Sequence, residues 1–171
     1  MKIEDPLAFS FIMPNELYLL KKDKTLSGTI AIPQPVLETP AINFNYMGMF
    51  KKSFLVIVHY PELEFIDERH LTALQSILTR LQYSLDDVAI FNKAKYPDAA
   101  FEHLRDFFKP QKLLLLGKQA LPKGMAPLTI NKPQPINNCN TLFSFSFDEM
   151  MDNNENKKAF WEQMKQLQCS N

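Results

Sequence analysis

Three short, almost continuously apolar runs occupy the middle of the chain: Phe54-Leu-Val-Ile-Val-His59, Val88-Ala-Ile-Phe-Asn92 and Lys112-Leu-Leu-Leu-Leu-Gly117. Runs of this length without a polar face are the pattern of strands buried on both sides. Between them, Asp67–Gln82 and Pro97–Lys109 carry apolar residues at three- and four-residue spacing, as helices with one buried stripe do. In the first, the stripe is Leu71, Leu74, Ile77, Leu78 and Leu81, with Asp67 placed as N-cap and Glu68 in the first turn. In the second, Ala100, Phe101, Leu104, Phe107 and Phe108 make the buried face, and Pro97 suits the first turn. Pro110 ends that helix, because the residue before a proline avoids helical geometry. Strand, helix, strand, helix, strand predicts a three-layer α/β/α domain with a mainly parallel central sheet.

The flanks have a different texture. Residues 118–140 hold four prolines and scattered apolar positions, which predicts one short strand near Leu128–Ile130 among loops. Thr141–Phe147 alternates, Leu142 and Ser144 opposing Phe143, Phe145 and Phe147, and reads as an edge strand or as an extended segment with one buried side. A last helix is expected from Glu155 to Leu167, with Phe160, Met164 and Leu167 on one side, Trp161 beside them as core, and Asp152, Asn153 or Asn154 as cap. Residues 1–40 carry apolar clusters without sustained periodicity, and residues 1–27 read as a partly separate N-terminal segment of a single-domain chain.

Composition narrows the classes of function. A length of 171 residues suits one core. Four glycines against twelve prolines argue against an enzyme that cradles phosphate on its backbone. Nineteen basic residues balance nineteen acidic ones, so strong direct nucleic-acid binding through counterion release is not expected. Cys139 and Cys169 have no metal-ligand spacing and read as thiols. Lys2, Glu4, Asp5 and Pro6 interrupt any apolar run at the start, so the expectation is a cytoplasmic protein without membrane partner or cofactor.

In parallel α/β sheets ligands sit beyond the carboxyl ends of the strands, here just after His59, Asn92 and Gly117. His59 lacks an identifiable carboxylate partner and reads as structural, while His70 and His103 read as solvated on polar helix faces. Glu62, Glu64, Asp67 and Glu68 are joined by no histidine in a ligand spacing, so no metal is expected. Asn92 and Lys95 are either the remnant of a base-binding pocket or a satisfied strand-end amide beside a solvated lysine. The cluster Leu17-Tyr18-Leu19-Leu20, followed by Lys21 and Lys22, either covers a sheet edge or meets a partner.

The tract Leu71–Gly117 resembles the centre of the uracil-DNA glycosylase superfamily. A leucine-packed helix leads to a short acidic turn, Asp86-Asp87, then to a strand ending in Asn92 with Lys93 and Lys95 nearby. A helix, Pro110 and a strand ending in Gly117 follow, and the late Trp161 helix matches a terminal segment of that superfamily. The resemblance implies a uracil-DNA glycosylase-like fold. Two departures imply that its chemistry is lost. After the first strand stands His59-Tyr60-Pro61-Glu62-Leu63-Glu64, where active members carry a glycine-rich, water-activating loop. Asn138–Phe143 contains no histidine where those members stabilise the departing oxyanion. His59, Glu62, Asn92 and Lys95 then form a vestigial pocket, with no catalytic residue and no metal.

A second resemblance is to the psi subunit of bacterial DNA polymerase III, a catalytically silent relative of that fold. Its N-terminal segment places an aromatic residue and a leucine before two basic residues, then Leu-x-Gly and an apolar strand. Here Leu17-Tyr18-Leu19-Leu20-Lys21-Lys22 precedes Leu26-Ser27-Gly28 and Thr29–Ile32, with Tyr18 where the family usually has tryptophan. The resemblance implies a non-catalytic accessory subunit whose segment Leu17–Lys22 docks on clamp-loader subunits and whose globular part contacts a further accessory subunit. The alternative is an atypical enzyme of the glycosylase superfamily, or a nucleobase-binding protein, using Asn92 with Glu62 or Glu64.

Overall fold

The computed structural model of this chain describes residues 43–169. The segment carrying Leu17, Tyr18, Leu19, Leu20, Lys21 and Lys22 lies outside the described residues. The elements run β1 (Phe54–Val58), α1 (Glu68–Arg80), β2 (Val88–Asn92), α2 (Phe101–Phe108), β3 (Lys112–Leu116), β4 (Gln134–Ile136), β5 (Cys139–Ser144), α3 (Phe147–Asp152) and α4 (Asn154–Cys169). The strands form one sheet in the order β2-β1-β3-β5-β4, parallel except for the β4–β5 hairpin.

Strand pleating divides the core between the two faces. Phe54, Val56 and Val58 of β1 meet Leu74 and Leu78 of α1, Phe147 and Met150 of α3, and Phe160 and Met164 of α4. Leu55 and Ile57 meet Phe101, Leu104 and Phe108 of α2 on the other face. Helices therefore cover both sides of a mostly parallel sheet. The step from β1 to β2 runs one way along the sheet and the step from β2 to β3 runs back past β1. That reversal makes the ends of β1 and β3 the switch point where α/β ligand sites form.

Local chemistry fixes the helix ends. The Asp67 carboxylate accepts from Arg69 N at 2.8 Å, as its cap position predicts. Lys109 turns left-handed at φ 47° after α2, with its N–H on Arg105 O at 2.7 Å. The expected start of α2 at Pro97 is corrected. Residues 97–99 turn instead, Ala99 N donating to Tyr96 O, and Phe101 N is taken by Lys123 O at 2.9 Å. This tertiary bond replaces a first helical turn. Within α2, Phe107 is 43% exposed, because an eight-residue helix buries only the stripe Phe101, Leu104 and Phe108.

The C-terminal half departs further from the sequence reading. The short strand lies at Gln134–Ile136, not at Leu128–Ile130, because Asn137 and Asn138 both adopt positive φ and close a tight hairpin onto β5. The same hairpin covers the outer side of β5. That strand is consequently interior, with Thr141–Ser144 all buried, and the edge-strand expectation fails. Phe145 and Phe147 leave the strand. Phe147 opens α3, a helix the alternating pattern concealed, whose capping box joins Ser146 N to Glu149 Oε2 at 2.8 Å and Glu149 N to Ser146 Oγ at 3.3 Å. At α4, Asn153 Oδ1 accepts from Glu155 N at 2.8 Å, selecting one of the three expected caps.

Candidate functional site

Beyond the carboxyl ends of β1 and β2, beside the switch point, the chain closes over its own strand ends. Asn92, the last residue of β2, is 2% exposed. Its carboxamide oxygen accepts from Tyr60 N at 2.9 Å and Ala94 N at 3.1 Å. Its amide nitrogen faces the carbonyl oxygens of Tyr60 and Leu63 at 2.8 Å and of Glu64 at 3.2 Å. Every polar valence of the side chain is thereby taken, by the loop that follows β1 and by Ala94 N in the turn after β2. Lys95 joins in, Nζ donating to Pro61 O at 3.0 Å. Of the four residues grouped as a vestigial pocket, Asn92 and Lys95 thus converge on loop 60–64. Glu62 stands exposed on that loop. His59 is half-buried beside it, and its Nδ1 has no hydrogen-bond partner among the described residues. On the β3 side, Gly117 N donates to Ser144 O at 3.0 Å, and a Cβ at Gly117 would stand 3.1 Å from Ser146 Cβ.

Beside the loop lies an open depression of about 500 Å³, lined by Met47 and residues 63–69. Glu64, Asp67 and Glu68 outnumber Arg69 there, so the charge lining it is net acidic. Asn45 Nδ2 donates to Glu64 Oε1 at 2.9 Å, and Asp67 is engaged as a helix cap.

Sequence reading missed a polar cluster under this rim. His70 is not solvated: it is 7% exposed, stacked on Phe147 with ring centroids 5.3 Å apart. Its Nδ1 lies 2.7 Å from Tyr60 Oη, and its Nε2 lies 3.6 Å from Asp148 Oδ1. Burial, reinforced by the charges of Asp148 and Asp67, pushes the Tyr60 phenol well above its ordinary value, so it keeps its proton. A protonated phenol can donate to Nδ1 of the tautomer that carries its N–H on Nε2, toward Asp148, or accept from Nδ1–H of the other. The signal was present: His70 precedes Leu74 and Leu78 by four and eight positions and shares their stripe. The cluster ties the end of β1 to α1 and α3.

His103 is exposed, and Trp161 is half-buried against the core rather than within it. Among the described residues, no group of three or more His, Cys, Asp or Glu side chains is arranged to hold a metal ion. None of the described helices is long and apolar enough to cross a membrane.

Cys139 is buried in β5, and burial pushes its thiol up to about 11. The folded chain holds a proton that the unfolded chain releases at the ordinary thiol pKa. This contribution to stability is full below that value and is lost as pH rises toward about 11. Iodoacetamide at pH 8 is expected to leave Cys139 unlabelled in the native chain and to label it fully in urea, as read by peptide mass spectrometry.

The fold and this filled strand-end site define an α/β domain with helices on both faces of a mostly parallel sheet. No protein-family model matches the chain, and no curated protein matches it.

Proposed function

We propose that this chain is a non-catalytic accessory subunit, of the psi type, of the bacterial replicative clamp loader, and that it docks through Leu17–Lys22. The observation that supports a silent strand-end site is the saturation of Asn92. An amide spent on five backbone contacts has no donor or acceptor left for a flipped base. The acidic depression beside it would repel a phosphate backbone. The docking half of the reading rests on the sequence resemblance alone. Tyr18 and Leu20 are the apolar anchors, and Lys21 and Lys22 steer the encounter.

The test is titration of the chain against the purified clamp-loader complex of the same organism. Wild type is expected to bind. Tyr18→Ala/Leu20→Ala is expected to lose on the order of 2 kcal/mol or more, the usual cost of truncating interface anchors. Absence of wild-type binding would remove the psi-type reading. Equal binding by the double variant would remove the segment as anchor. The competing reading, an atypical glycosylase, is favoured by one feature, the Nδ1 of His59 just after β1, which has no hydrogen-bond partner among the described residues. Uracil excision from single- or double-stranded DNA that disappears in His59→Ala would replace the accessory-subunit reading with that one.

A further inference from the structure

Away from the strand ends, α1, α3 and α4 leave a partly open groove of about 290 Å³. Its floor is Phe147, Met150 and Phe160, all buried. One wall is the α1 stripe Ala73, Ser76, Ile77 and Arg80, at spacings i, i+3, i+4 and i+7. That stripe runs about 10 Å along the helix axis. The facing wall is Lys157 and Trp161 of α4, on the same side as Phe160. Ala73 and Ser76 are small, so a guest can approach the α1 backbone closely. An apolar trough of this kind between two helices accepts the apolar face of a third. Met151, 43% exposed at the rim, adds a side chain that adapts to different apolar shapes.

Charge decides what kind of helix belongs there. The charged residues lining the groove are Arg80 and Lys157, both exposed and both cationic. Neither has an ion pair with a described residue. Arg80 Cζ and Lys165 Nζ stand 5.8 and 5.4 Å from the centre of the Trp161 ring, which concentrates positive charge along this wall. We propose that the groove binds a short acidic amphipathic helix of a partner protein. Its leucine or phenylalanine side chains enter over Phe147 and Met150, and its carboxylates pair with Arg80 and Lys157. A nucleic-acid strand fits less well, because the floor offers stacking faces and methyl groups but no polar group to read a base. The groove is lined by described residues alone and the argument for it makes no use of Leu17–Lys22, so the proposal does not depend on the psi-type reading.

Trp161 is the single tryptophan of the chain, so its emission reports this groove directly. Two designed, tryptophan-free peptides with the same leucine and phenylalanine stripe are titrated into the full chain. One carries glutamate and the other lysine at its polar positions. The glutamate peptide is expected to shift the Trp161 emission, with an affinity that falls as salt is raised. Arg80→Glu/Lys157→Glu is expected to weaken that peptide by about tenfold or more and to gain binding of the lysine peptide. Both substitutions are at exposed positions, and an unchanged thermal melt establishes that the variant is folded. Met151→Glu, on the exposed rim, is a second variant that puts a like charge in the path of the glutamate peptide and is expected to weaken it. The proposal is overturned if neither peptide alters the emission, if the two bind alike, or if neither set of substitutions changes the affinity. It is also overturned if decanoate or an oligothymidylate displaces the glutamate peptide and binds more tightly, which would assign the groove to a small amphiphile or to nucleic acid.

Discussion

Asn92→Ala is expected to lower the unfolding free energy by about 3 kcal/mol or more, read from urea denaturation followed by circular dichroism. Truncation leaves the N–H groups of Tyr60 and Ala94, and the carbonyls of Tyr60, Leu63 and Glu64, without the side chain that ties them together. Each buried polar group left unpaired costs about 1–3 kcal/mol, partly relieved where the exposed parts of the loop recover water. Asn92→Asp is the sharper experiment. It keeps the two acceptor functions but points a carboxylate at three carbonyl oxygens. Its deficit against wild type should shrink as pH falls and the carboxyl gains a proton that it can donate. A loss below about 1 kcal/mol for Asn92→Ala would show that the loop is held by something else, and the silent-site reading would lose its main support.

The second large effect is expected at Gly48. The strap ahead of β1 pairs with the outer edge of β2: Met47 N donates to Ile90 O at 2.9 Å, Ile90 N to Met47 O at 2.8 Å, and Phe50 N to Val88 O at 3.3 Å. Gly48 has φ +104°, and a Cβ there would lie 2.2 Å from Val88 O and 2.8 Å from Leu85 O. Both are backbone atoms, so the strap itself has to move. Gly48→Ala is expected to cost about 2–4 kcal/mol and to shift the urea midpoint accordingly. It should also raise light scattering on standing, because lifting the strap opens a buried, apolar strand edge to other chains. Gly124→Ala is the control. Its φ is +78° and nothing lies within 4 Å of the added Cβ, so only the left-handed backbone cost of about 1–2 kcal/mol applies.

The parts of the fold legible in the sequence share one property: their signals are local. The runs at residues 54–58, 88–92 and 112–116 are strands because they have no polar face to expose. The stripe Leu74, Leu78 and Leu81 places α1, and Asp67 caps it through a carboxylate two residues away. The Ser146–Glu149 capping box was equally local, but the alternation through Thr141–Phe147 masked it, since a period of two runs straight into the cap. His70 was assigned to a polar face on its chemistry, although its spacing put it on the buried stripe.

The class of the domain, the three parallel strands and the helices that connect them are legible in the sequence, because burial on two faces and periodic burial on one leave distinct patterns. Tertiary structure alone decided which polar groups meet. Asn92 reaches back across 32 positions to Tyr60, Phe101 N is claimed by Lys123 O, and β5 becomes interior because a hairpin folds over its edge. Hydrogen-bond satisfaction is a property of pairs, and a partner distant in sequence leaves no mark on the residue it will satisfy. The strand-end asparagine could be read from the chain as a remnant of a pocket or as a satisfied amide. Only the fold shows its carboxamide spent on the loop after β1.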